Sequence, residues 1–185
     1  MPNKLFLLSG PSGVGKTTIA QELLKQLPNM ERLVTYTTRP PRPNEQSGVD
    51  YHFISAEEFE EKISNNEMFE YDEHYGNLYG NSRHDLDEIW QNNKIALMVL
   101  DVNGVKTAKK YFPEAKTIFV LPDTLPNLEG RIRNRPMTEE AFKKRWAMVH
   151  PELAEADQYD FQVVNQENQL AEAVQAVKNI IISPA

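Results

Sequence analysis

Gly10-Pro11-Ser12-Gly13-Val14-Gly15-Lys16-Thr17 satisfies G-x-x-x-x-G-K-[ST], a spacing that turns backbone into a phosphate receptor. Glycines let successive N–H groups point inward, and the helix that follows adds its positive N-terminal end. Lys16 brings a mobile point charge to the β- and γ-phosphates of a nucleoside triphosphate such as ATP. The Thr17 hydroxyl is of the type that ligates magnesium, and Thr18 lies beside it. The bland alternative is a Gly-rich strand-to-helix turn with a solvated lysine, and the complete pattern between an apolar strand and a helix argues against it. Asp101 closes the apolar run Ile95-Ala96-Leu97-Met98-Val99-Leu100. It therefore emerges at the carboxyl end of a strand, where metal-binding acids gather in open α/β sheets. Capping the next helix is its other reading. Two arginine groups complete the set: Arg39 and Arg42 among prolines, and Arg131, Arg133 and Arg135 with Arg145 further on. Guanidinium groups make bidentate contacts to phosphate, although each of these also has a surface ion pair as its plain reading. Together these residues indicate nucleotide-dependent phosphotransfer or phosphate hydrolysis.

The elements that must position them follow from periodicity. Leu5 to Leu8 is a short buried strand feeding the glycine turn, and Ile19, Ala20, Leu23, Leu24 and Leu27 recur at helical spacing until Pro28-Asn29. Leu33 to Thr37 and Tyr51 to Ile54 read as strands, separated by a Pro- and Arg-bearing loop. Ser55-Ala56-Glu57-Glu58 has the form of a capping box opening a helix with Phe59 and Ile63 on one face. Met68 to Tyr71 reads as extended, with a turn at Gly76-Asn77. A strand–helix rhythm resumes at Ile95, with a helix around Val105 to Tyr111, strands at Thr117 to Leu121 and Phe161 to Val164, and a closing amphipathic helix from Leu170 to Ile181. Short non-alternating strands separated by helices predict an α/β fold with a parallel core sheet covered on both faces. Residues 33–83 break this rhythm and read as an inserted subdomain.

Composition bounds the rest. With 185 residues, 40% hydrophobic and 25% charged, the chain suits one globular domain. Twenty Lys and Arg against 27 Asp and Glu give a formal charge of −7, which argues against nucleic acid or an anionic membrane as partner. The absence of cysteine excludes disulfides, zinc thiolates and thiol nucleophiles. The four consecutive apolar residues from Leu5 to Leu8 are too few for a signal segment or a membrane span, so the expected setting is cytoplasmic. The four histidines have no metal-ligand spacing, and Trp90 and Trp146 read as packing residues.

Several blocks together resemble guanylate kinase. They are the glycine loop, Thr37-Thr38-Arg39-Pro40-Pro41-Arg42-Pro43-x-Glu45, Gly48-Val49-Asp50-Tyr51-His52-Phe53, Glu70, Tyr75-Gly76-Asn77-Leu78-Tyr79-Gly80, Leu100-Asp101-Val102-x-Gly104, and Glu152-Leu153-Ala154-x-Ala156-Asp157-x-Tyr159-Asp160. The resemblance runs colinearly over nearly the whole chain. It implies the P-loop three-layer fold, with a core of 1–32, 84–124 and 147–185, a GMP-binding subdomain of 33–83 and a lid of 125–146. By the same resemblance, Arg39, Arg42, Tyr51 and Tyr79 hold the acceptor phosphate, with Glu45, Gly80 and Asp101 in the same site. Glu70 reads the guanine edge, with Thr35 and Asn81 in its pocket. Arg131 joins the loop on the ATP side, Asn165 lies near adenine, and Arg135 and Arg145 close over the ATP phosphates. The implied reaction is ATP-dependent phosphorylation of GMP, and of dGMP, with Mg2+ near Thr17 and Asp101, in a monomer or homodimer. An alternative is a guanylate-kinase-like module that binds nucleotide or a protein partner with weak or no catalysis, and another is a related small-molecule kinase with an altered acceptor.

The sequence departs from that family pattern in two places. Asn81 stands where the guanine pocket usually has a small hydroxyl, whereas Thr35 keeps one. The lid reads Asn134-Arg135-Pro136-Met137 instead of Gly-Arg-Gly-Thr and is one residue short before Arg145. Pro136 fixes φ and removes a donor where a glycine would allow hinge motion, so slower lid closure is the expectation.

Overall fold

The computed structural model describes residues 4–43, 45–74 and 76–183. Asn44 and Tyr75, both within the family-like blocks, lie outside the described residues. The central strand is β1 (Leu5–Ser9), which runs into the glycine loop and α1 (Lys16–Gln26). Beside it lie β2 (Met30–Arg32), β7 (Ile95–Val99), β8 (Lys116–Pro122) and β9 (Phe161–Asn165), all parallel, in the order β2-β7-β1-β8-β9. Successive side chains of β1 point to opposite faces, as the two-residue strand period requires. Phe6 and Leu8 enter a core with Ile19 and Leu23 of α1 and with Val174 and Val177 of α7 (Leu170–Ile182). Leu5 and Leu7 enter the other core, with Leu86 and Ile89 of α3 (Arg83–Gln91) and Val105 and Ala108 of α4 (Val102–Tyr111). The parallel sheet is thus covered on both faces. Trp90 and Trp146 pack against these two cores.

A second, mixed sheet is built wholly from residues 36–82. It comprises β3 (Tyr36–Thr37), β4 (His52–Phe53), β5 (Met68–His74) and β6 (Asn77–Ser82), in the order β4-β3-β6-β5. Its helix α2 (Ala56–Ser64) opens with the capping box that Ser55 and Glu58 predict, both hydrogen bonds being present. The expected strand from Leu33 to Thr37 is corrected. Met30–Arg32 pairs with β7 in the core sheet, and only Tyr36–Thr37 forms a strand further on, in the other sheet. One apolar stretch crosses between two sheets there, with Leu33 buried in the core at the crossing.

Between β8 and β9 lie α5 (Leu125–Arg133), α6 (Glu139–Ala154) and a 3-10 turn at Ala156–Gln158. Leu128 and Ile132 of α5 are fully buried around Val14 of the glycine loop, together with Phe142 and Val149 of α6. Helix α6 continues without a break past residue 146. Among the described residues no helix is long and apolar enough to cross a membrane.

Candidate active site

The glycine loop is shaped by what surrounds it. Gly13 has φ +84° and Gly15 φ +103°, a region L side chains rarely adopt. A Cβ on Gly13 would stand 2.7 Å from Ile132 Cγ1, and one on Gly15 would stand 2.5 Å from Asn165 Nδ2. Helix α1 begins after Gly15 with no side-chain cap and no acid in its first turn. By contrast, α2 to α6 each carry a Ser, Asp or Thr whose oxygen accepts from the first turn. The first N–H groups of α1 are therefore left for an anion. Lys16 folds back over the loop and donates to the Gly10 carbonyl at 2.5 Å and the Pro11 carbonyl at 3.1 Å. Burial pulls its pKa down to about 8, against the opposing pull of Glu152 and Asp101.

The loop forms one wall of a cavity of about 560 Å3, and the mixed sheet forms the opposite wall. Ser12, Gly13, Gly15, Lys16, Thr17 and Thr18 line the first wall; Gly10 and Val14 are buried beneath it. On the other wall Glu70 is 5% exposed and accepts from Asn81 Nδ2 at 2.7 Å. The Asn81 Oδ1 in turn accepts from the Thr35 hydroxyl at 3.1 Å. Strand register makes this chain, since Glu70 of β5 pairs with Asn81 of β6 and Tyr36 of β3 pairs with Gly80. Gly80 is a packing position: a Cβ there would come within 2.9 Å of both the Glu70 carbonyl and Phe59.

Arg39 donates to both oxygens of Glu45, at 3.0 and 2.9 Å, and its guanidinium lies 5.3 Å from the Tyr51 ring centre. Glu45 also accepts from the Arg42 backbone N–H at 2.7 Å, so one carboxylate shapes the whole Pro-rich loop. Tyr51 and Tyr79 meet edge to face at 5.9 Å beside it, while Tyr36 stacks instead on His52. From the far side, Arg145 donates to the Ser12 hydroxyl at 3.3 Å. Loss of water, then Arg145 and Arg42, hold Arg135 below the usual guanidinium range. Arg39, Arg42, Arg135 and Arg145 thus bring four guanidiniums to one cavity, an arrangement suited to a polyanion.

Asp101 takes its capping position and also lines the cavity. Its Oδ1 caps α4 by accepting from Gly104 N–H at 2.8 Å, and it lines the cavity near Lys16. Arg131 and Asn165 do not line the cavity. Arg131 pairs with Glu167 at 2.6 Å and reaches the Asn165 carbonyl. The Asn165 amide donates to the Val14 carbonyl at 2.8 Å, pinning the loop from β9. Arg133 is also turned away, bonded to Glu129 and Glu139 and 3.6 Å from the Phe142 ring centre. The periodicity of α6 carries a signal that the sequence reading missed. Arg145, Met148, Glu152 and Glu155 recur at helical spacing, and all four face the cavity. Arg32, from the core sheet, lines it too.

A magnesium ion fits this donor set as one that arrives on phosphates. Thr17 supplies one hydroxyl and Asp101 one carboxylate, and no group of three ligating side chains occurs among the described residues. Mg2+ ordinarily takes one or two carboxylates plus substrate phosphates and keeps several waters.

Comparison with known proteins agrees with this geometry. A family model described as guanylate kinase matches residues 2–183. A guanylate kinase of Thermosynechococcus vestitus is 38% identical over 185 residues, covering 100% of this chain and 96% of that protein. One of Gloeobacter violaceus is 41% identical over 180 residues, covering 97% and 87%. The crystal structure of guanylate kinase from Anaplasma phagocytophilum superposes with a TM-score of 0.79 at 29% identity, covering 97% of this chain and 84% of that one.

Proposed function

The chain belongs to the guanylate kinase family, and from that premise we propose how its own residues carry the reaction. It is an enzyme that phosphorylates GMP with ATP. The observation that carries the acceptor assignment is Glu70, a buried carboxylate held by Asn81 and Thr35 and facing the same cavity as the glycine loop.

Glu70 accepts from the guanine N1–H and the exocyclic amine, which adenine does not present in that arrangement. Against the wrong base the buried carboxylate would be left short of donors, which costs about 1–3 kcal/mol per lost bond and more for a charged group. The Asn81 carboxamide takes the place of a hydroxyl by fixing the Glu70 rotamer. Arg39, Arg42, Tyr51 and Tyr79 hold the acceptor phosphate, with Glu45 as the group that aims Arg39. The ATP phosphates lie on the loop N–H groups and Lys16, under Arg135 and Arg145. Arg131 and Asn165 act from beside the loop, where Asn165 keeps its shape. Mg2+, when bound, neutralises phosphate charge, and Thr17 and Asp101 are the residues that would hold it.

An oxygen of the GMP phosphate forms the new bond to the γ-phosphorus as the bond to the β,γ-bridging oxygen breaks, giving GDP and ADP. No side chain need act as a strong base, because positioning and charge neutralisation carry most of phosphoryl transfer. On this reading the same pocket accepts dGMP, and the setting is cytoplasmic.

The test is ADP formation from ATP and magnesium with GMP, dGMP, AMP, CMP, UMP or no acceptor. Turnover with GMP and dGMP alone is expected. Glu70→Gln should raise KM for GMP by about two orders of magnitude and leave KM for ATP within twofold. Equal effects on both substrates would remove Glu70 from the acceptor pocket.

A further inference from the structure

Arg32 ends β2, an edge strand of the core sheet, yet its guanidinium reaches the loop of the other sheet. Nη2 donates to the Asp50 carbonyl at 3.0 Å, and the guanidinium carbon lies 5.9 Å from the centre of the Tyr51 ring. Its Nε is buried without a hydrogen-bond partner, and no carboxylate forms an ion pair with it among the described residues. A buried cation is ordinarily paired, because desolvation disfavours the charge. Here burial does lower the Arg32 pKa, with Tyr51 and then Asp50 offsetting part of the effect. The guanidinium is half-buried and also lines the cavity, and the face of Tyr51 and one carbonyl are its partners on the buried side.

We infer that Arg32 is a positioning residue of the acceptor site, holding Tyr51 and the Asp50 turn in place from the core sheet. Tyr51 otherwise stands just before β4, held by a single bridge to Ser47, and its ring has a second cation, Arg39, at 5.3 Å. Two guanidiniums, one from the end of a core strand and one from a loop, therefore fix one phenol. Arg39 arrives from the phosphate-binding loop and is itself aimed by Glu45. Arg32 arrives from the rigid core and fixes where that phenol stands relative to the glycine loop. Misplacing a phosphate-holding group by an ångström lowers the effective concentration of the acceptor without altering the donor site. This role rests on Tyr51 holding the acceptor phosphate, as proposed above.

The experiment compares wild type, Arg32→Met, Arg32→Lys, Tyr51→Phe and the Arg32→Met/Tyr51→Phe double variant in steady state. Arg32→Met should raise KM for GMP about tenfold, with kcat and KM for ATP within about twofold. Arg32→Lys should recover part of the loss. In the Tyr51→Phe background, Arg32→Met should add less than about twofold, because the group it positions is gone. The second readout is nucleotide-free: tyrosine-Cζ-labelled protein is titrated by NMR. Burial, then Arg32, Tyr79, Arg39 and Glu45, set the Tyr51 phenol, with Arg32 pulling it down. Arg32→Met should therefore move the Tyr51 titration to higher pH. An unchanged KM for GMP, a full effect persisting in Tyr51→Phe, or an unmoved phenol would each overturn the inference. If wild type made no GDP from GMP, the acceptor reading would fail instead, and the phenol titration alone would decide whether Arg32 holds Tyr51.

Discussion

Lys16 is a cation kept in a place that favours its neutral form, and the same burial that weakens its charge makes it useful to a phosphate. Its pKa of about 8 in the free protein lies below the usual 10.5. Between those values the unfolded chain holds more protons at this position, so its contribution to stability grows as pH rises through that window; at lower pH the buried charge is a standing cost. A bound polyphosphate favours the charged form and raises the pKa. ATP binding should therefore take up a proton near pH 8.5, and affinity should fall as pH rises through 8. Titration calorimetry in two buffers of different ionisation heat reads that proton directly. Lys16→Arg, which cannot deprotonate in this range, should abolish the uptake, and uptake unchanged in that variant would assign the proton elsewhere. The chemistry of Lys16 is legible in sequence because a phosphate loop is local: eight consecutive residues contain the whole device. Arg32 is not legible, because its partners Asp50 and Tyr51 lie 18 and 19 residues on in the turn before β4, and no spacing rule joins them. Asn81 lies between these cases. Its position in the pocket was expected from resemblance, but the contact through which it acts, an amide N–H to Glu70, depends on strand register.

Elements built from local signals match the sequence reading, and those built from tertiary compromise do not. The Ser55 capping box and the apolar runs of β1, β7 and β8 each satisfy one rule, and each forms as expected. Helix α6 satisfies none cleanly. Its apolar face is split between the core, through Phe142 and Val149, and the cavity wall from Arg145 to Glu155, and Pro151 sits inside it. The connection between α5 and α6 is where the departure from the family pattern takes structural form. Thr138 caps α6 at the Ala141 N–H, Arg133 bridges both helices through Glu129, Glu139 and Phe142, and Pro136 lies between them. With α5 anchored by two fully buried side chains, the closure over ATP phosphates proposed for Arg135 and Arg145 would bend at residues 134–138 and the start of α6. Pro136→Gly should therefore raise kcat two- to fivefold, a rough figure for relieving a gating step. It should also lower unfolding free energy by about 0.5–1 kcal/mol through the freer unfolded chain. Turnover and a denaturant midpoint measure the two. A lower midpoint with unchanged turnover would place the rate limit outside this connection.

The whole molecule sets a global charge against a local one. A net charge of −7 repels an incoming nucleotide at long range, while Lys16, Arg39, Arg42, Arg135 and Arg145 attract it inside one cavity. Range decides which effect salt removes first. The Debye length is about 30 Å at 0.01 M salt, comparable to the molecule, and about 10 Å at 0.1 M. Over that interval the diffuse repulsion is screened, whereas contacts at hydrogen-bond distance between low-dielectric walls are screened much less. Only at higher salt do counterions compete with the partly exposed guanidiniums. kcat/KM for GMP should therefore stay level or rise between 0.01 and 0.1 M KCl and decline above that. A chain whose overall field steered the anion inward would show a steep decline from the lowest salt onward. Adding negative charge on a face remote from the cavity, as in Lys178→Glu on α7, should enhance the initial rise and leave kcat unchanged. Lys178 is half-buried on α7, does not line the cavity and is bonded to Gln26, so this change leaves the site's own residues in place. A monotonic decline in both proteins would mean that the converging guanidiniums, and not the net charge, govern encounter.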